Sequence, residues 1–134
     1  MTLPSIHPLV KQALRSDPAV RRITQDRVFA GKYPPEVVLP AVRFRFQWAD
    51  PLARPTTQWW SFTGEVVCHA DSEEVADDLA GAVLGALLQL EGTSHSQGVV
   101  QGALDWGVQS VEDGEWTPPK PGRIVAVTLT ARPA

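Results

Sequence analysis

From Val42 to Trp48 every second residue is large and apolar. Arg43, Arg45 and Gln47 stand between them. A period of two suits a strand with one buried face, and a helix cannot bury such a pattern on one side. A second run, Gln58 to Ala70, repeats the pattern. Trp60, Phe62, Gly64, Val66, Cys68 and Ala70 share one face, and Trp59, Ser61, Thr63, Glu65, Val67 and His69 share the other. The intervening segment carries Pro51 and Pro55 and reads as a connecting loop, so the two runs are expected to pair as a hairpin. A sheet with one apolar face needs a second layer to cover it.

The cover follows at once in the chain. Asp71-Ser72-Glu73-Glu74 is a helix start: Asp71 is expected to cap the helix, with Glu74 three residues later, and acids in the first turn suit the helix dipole. The helix is expected from about Glu73 to Leu90, ending near Gly92. Its first half is amphipathic, with Val75 and Leu79 inside and Asp77 and Asp78 outside. Its second half is apolar nearly all round. Leu84 and Leu88, beside Gly81 and Gly85, form a second apolar face that something else should cover.

The remaining elements are shorter or less regular. Pro8 to Ser16 reads as a short helix with Leu9, Val10, Ala13 and Leu14 on one side. Asp17 then caps a helical turn opened by Pro18. Arg27 to Gly31 reads as a short strand. After a polar loop, Val99 to about Val111 reads as a strand with Val100, Leu104, Trp106 and Val108 on one face. A proline-stiffened hairpin tip around Trp116 leads to a last strand, Arg123 to Ala131. The expected fold is α+β: a mostly antiparallel sheet of four to five strands, one long helix packed across a face, and a short N-terminal helix. With 134 residues, one domain over 1–134 is expected.

Composition narrows the function classes. A single cysteine, Cys68, forms no internal disulfide and no cysteine zinc site. No apolar run reaches the ~18 residues needed to cross a bilayer, and the first residues lack a signal-peptide pattern, so a cytosolic origin is expected. The net charge of −3 offers no basic footprint for gripping nucleic acid. The 12 prolines exceed the roughly seven that average usage near 5% would give, and there are five tryptophans. Stiff connections and large aromatic anchors are what that combination supplies.

No catalytic set emerges. Cys68 and His69 are adjacent on a strand, so their side chains point to opposite faces and cannot act as nucleophile and base. His69 and Asp71 are too few for a metal site. The acids Asp71 to Asp78 suit helix capping and a solvated face. There is no phosphate loop, nucleophile elbow or zinc-binding histidine pair. No enzyme activity, cofactor or metal is expected. The candidate sites are contact surfaces instead: Arg43 and Arg45 on one strand face, Trp59 and Trp60 on opposite faces, Leu84 and Leu88 on the helix, and Trp116 at the hairpin tip, where it either anchors a partner or folds back.

The arrangement resembles the phage tail terminator, or tail completion, family over nearly the whole chain. Val10 to Val20 looks like that family's opening helix and Asp-Pro turn. Asp26-Arg27-Val28-Phe29-Ala30-Gly31, Pro34-Pro35 and Leu39-Pro40-Ala41-Val42 are similar to its "RVY…P…LPAV" signature. The strand from Gly64 to Ala70, running into Asp71 to Leu79, looks like its strand-to-helix core. The Trp59-Trp60 pair and the tryptophan-rich C-terminal hairpin depart from the pattern.

The resemblance implies a virion structural protein at the neck, assembled in the host cytoplasm. It implies a ring of identical copies, typically a hexamer, on the end of the tail tube. The ring would stop tube polymerisation and meet the head-side connector, with DNA passing through its lumen without specific binding and with no membrane partner. The alternatives are another connector ring such as a stopper, or a small α+β enzyme or ligand-binding domain. The last would place a polar cluster around His69 or Asp105 in a pocket between sheet and helix.

Overall fold

The computed structural model describes residues 3–51, 59–112, 116 and 118–134. Among these residues, three helices and six strands follow in the order α1 (Ile6–Ser16), α2 (Pro18–Thr24), β1 (Val28–Ala30), β2 (Ala41–Pro51), β3 (Trp60–His69), α3 (Glu73–Leu88), β4 (Thr93–His95), β5 (Gly98–Glu112) and β6 (Pro121–Arg132). The sheet order is β1-β2-β3-β6-β5-β4. All neighbours are antiparallel except β1, which lies parallel to β2.

This corrects the expected architecture. The class is α+β, but among the described residues the sheet has six strands and is mixed, and the helical layer holds three helices, α2 packing on α1 and α3, rather than one long helix with a short companion. The Asp17-Pro18 turn extends into a seven-residue helix: the Asp17 carboxylate accepts from the Val20 amide at 3.1 Å, and Pro18 opens the first turn. The polar loop after α3 contains β4, three residues with no apolar alternation to announce them. The helix cap moves by one residue. Ser72 accepts from the Val75 amide, while Asp71 pairs with Lys120 at 3.0 Å.

The helices and one sheet face enclose the core. Ile6, Leu9, Val10 and Leu14 of α1 and Leu79, Val83 and Leu87 of α3 meet Phe44, Phe62, Val66, Val125, Val127 and Leu129 from the strands, all buried. Phe46 lies so close to β3 that its partner must be glycine. A Cβ on Gly64 would stand 2.2 Å from the Arg45 carbonyl and 2.6 Å from Phe46 Cα. At the start of α3, Arg123 of β6 is buried and reaches out to the helix. Its Nε donates to Asp77 at 2.8 Å and its terminal nitrogen to Glu73.

Bulges reset the side-chain alternation in two strands. The β2–β3 register shifts between Phe46 and Trp48, so Trp48 pairs with Thr63 and leaves the buried face of Phe46. The β5–β6 register shifts twice, between Val100 and Gly102 and between Asp105 and Gly107. Val100 is buried, but Trp106 and Val108 are exposed, so the expected common face of β5 does not form.

Candidate functional site

The sheet face turned away from the helices carries an aromatic row. Trp48 pairs with Thr63 across β2 and β3. The Thr63 and Thr128 hydroxyls lie 3.1 Å apart across β3 and β6, and the Trp106 indole N–H donates to Thr128 Oγ1 at 2.7 Å. Both tryptophans remain about two-thirds exposed, at 64% and 65%. The row ties four neighbouring strands into one polar-backed, aromatic-tipped surface. Sequence reasoning missed both residues, because unbroken alternation would bury them. Gly102 and Gly107 carried a usable signal, since glycine inside an alternating run often marks a bulge.

At one end of β3 the same face is closed. His69 is fully buried although it points away from the helices. The Tyr33 hydroxyl lies 2.8 Å from its Nδ1 and donates to the Ala41 carbonyl at 3.1 Å. The Trp116 ring sits 4.8 Å from the imidazole and 5.9 Å from the Tyr33 ring. Gly122 makes room for this stack, because a Cβ there would stand 3.0 Å from the imidazole and 2.7 Å from Val111. Trp116 therefore folds back on its own domain. Other hairpin-tip residues, 113–115 and 117, lie outside the described residues. Cys68 faces the opposite side, in the core, where burial pushes its thiol up to about 12. That is far from a reactive thiolate, and the strand geometry separates it from His69.

Arg43 and Arg45 line the outer face of β2. They border a cleft of about 610 Å³ with Lys32, Gly31, Glu65 and His7. Arg45 and Lys32 are exposed; Arg43 is half-buried, its guanidinium 5.7 Å from the Tyr33 ring centroid. His7 anchors the start of α1 on β2: its Nε2 accepts from the Phe46 amide at 3.2 Å, and its ring stacks on Phe44. Desolvation by burial and then the nearby Arg45 charge lower the His7 pKa.

The other expected contact residues lie apart. Trp60 is half-buried and packs on the core, whereas Arg132 stands 5.5 Å from the Trp59 ring centroid on the opposite face. Leu84 is half-buried and packs against the core, and Leu88 is 38% exposed. The structure thus groups Arg43 with Tyr33 near Trp116, and leaves Leu84 and Leu88 on the helical layer. The polar pocket expected of an enzyme is not assembled from His69 and Asp105. His69 is buried on the outer face, Asp105 is exposed on β5, and the helix–sheet interface is apolar. Among the described residues no three His, Cys, Asp or Glu side chains group as a metal site requires. Among the described residues no helix is long and apolar enough to cross a membrane.

No protein-family model matches this chain. No curated protein matches it in sequence. Among solved structures it is similar to a chain of the virion of a native gene transfer agent particle. That chain is 19% identical, with a TM-score of 0.68, over 92% of this chain and 90% of the other. At that identity the likeness defines a shared fold.

Proposed function

We propose that this protein is a structural component of a phage-like virion, and within it the tail terminator. Copies form a ring at the head-proximal end of the tail tube. The ring ends tube polymerisation and joins the tail to the head connector. The fold likeness to a virion chain over nine-tenths of both chains carries this reading. The resemblance of residues 10–42 and 64–79 to the tail terminator pattern supports the finer role. An open sheet face tipped with Trp48 and Trp106 suits a protein whose work is contact. A net charge of −3 suits a lumen that DNA must slide past, since basic contacts to phosphate add affinity.

Electron microscopy of particles made without this protein tests the role. Overlong tails, or tails without heads, are expected. Tails of normal length on heads that fail to retain DNA would assign a stopper ring instead. Normal virions would overturn the structural role altogether.

A further inference from the structure

We propose that the outer edge of β5 is a self-association surface, and that two copies of this chain pair their β5 strands antiparallel across a twofold axis. The pair belongs to the free chain and does not depend on the terminator reading.

β5 runs over 15 residues, but β4 pairs only with Gly98, Val99 and Val100. From Gln101 to Glu112, about 40 Å of strand, no described strand lies on the outer side. An unfilled row of amide and carbonyl groups is a template for another strand, and natural edges are blunted by charges, proline, bulges or a cover. Gln101 to Glu112 contains no lysine, arginine or proline. Beyond the bulge at Asp105–Gly107, residues 107–112 pair regularly with β6. Asp105 to Ser110 are all exposed, so neither sheet face covers this stretch. Trp106 and Val108 are among them.

The other edges decide the partner, because each is short or blunted. β1 has three residues, and Val28 donates its amide to the Asp26 carbonyl while its own carbonyl accepts from Arg15. β4 also has three residues. β2 is unfilled only from Gln47 to Pro51: β1 pairs with Val42 to Phe44, His7 takes the Phe46 amide, and Pro51 has no amide hydrogen. The edge of a second copy that matches β5 in length is therefore β5 itself. An isologous pair of this kind uses up both long edges, so growth stops at two.

Side-chain chemistry fits the pair. Gly107 to Val111 is uncharged. A self-pair centred on Gln109 sets Val108 of one copy opposite Ser110 of the other, twice, and opposes no like charges there.

Sedimentation velocity and hydrogen exchange of the full chain test this. A monomer–dimer equilibrium is expected, and amides within 107–111 should exchange more slowly in the dimer than in dilute monomer. Val108→Lys/Ser110→Lys sets lysine against lysine at both crossings and should weaken the dimer at least about tenfold. Val108→Lys/Ser110→Glu sets lysine against glutamate at the same crossings and should pair within about threefold of wild type. Both positions are exposed, so both variants should fold as wild type does by circular dichroism.

A wild-type chain that stays monomeric to about 1 mM would overturn the proposal. So would a dimer with unchanged exchange in β5, or two variants that pair equally well. Free chains that grow beyond two with β5 protected would also overturn it, and would assign that edge to a different strand of the next copy. None of these outcomes alters tail length, which tests the terminator reading separately.

Discussion

The Tyr33 hydroxyl stands 2.8 Å from Nδ1 of His69, on the sheet face that no helix covers. With Trp116 laid over both rings, this pairing makes a small second core where an open sheet would otherwise begin. It fixes the loop between β1 and β2, and with it Lys32, beside the basic cleft.

Tyr33→Phe keeps the ring and removes the hydroxyl. It is expected to lower stability by about 1 kcal/mol in urea denaturation. Trp116→Ala removes the lid and should cost about 1–3 kcal/mol in the isolated chain. Unchanged stability for Trp116→Ala would return that residue to a role as a partner anchor.

Gly64→Ala puts a methyl group onto the backbone of β2, at 2.2 Å from the Arg45 carbonyl. The strands must part to admit it. A loss of about 3 kcal/mol is expected, read as a lower denaturation midpoint.

Arg123→Met removes a buried guanidinium that ties β6 to the first turns of α3. Glu73 and Asp77 are about two-thirds exposed and can be rehydrated, so the cost is mostly lost charged hydrogen bonds, about 1.5–3 kcal/mol. Hydrogen exchange should quicken first in the early turns of α3.

His7 makes stability depend on pH. Its folded pKa lies below the ordinary 6.5, so the unfolded chain binds the proton more readily. The stability from neutral His7 is complete above pH 6.5 and is lost as pH falls through the lowered folded value. Protonation also removes the lone pair that accepts from the Phe46 amide. Denaturation midpoints for wild type and His7→Gln should converge as the pH drops below 6.5; parallel curves would show that His7 contributes nothing.

Leu84 and Leu88 should part company. Leu84 packs against the core, so Leu84→Asp is expected to destabilise the chain itself. Leu88 is partly open, so Leu88→Asp should leave folding within about 0.5 kcal/mol of wild type. A defect of Leu88→Asp in ring formation on tail tubes, checked by negative-stain imaging, is the outcome the ring reading expects.

Much of the fold was legible because periodicity is a local property. Val42 to Phe46 and Phe62 to Cys68 alternate as half-buried strands must, and Leu9, Val10 and Leu14 recur as a helix face must. The Asp17-Pro18 start follows from one side chain and one fixed dihedral. The site was less legible. Alternation alone puts Arg43 and Arg45 on one strand face, but Lys32 joins them only because the loop folds back along β2. Unbroken alternation puts Trp48 on the buried face of Phe46 and Trp106 on the face of Val100, and the bulges turn both out, because a bulge is a mismatch between two strands that neither strand's sequence states.

The sequence by itself determined the alternating strands, the capped helices, the separation of Cys68 from His69 and the uneven spread of charge, since each depends on neighbours along the chain. Tertiary structure alone decided the six-strand order, the parallel edge, the burial of His69 under Tyr33 and Trp116, and the emergence of Trp48 and Trp106 on the open face. Those depend on register and on which segments cross, and hydrogen bonds between strands far apart in sequence set both.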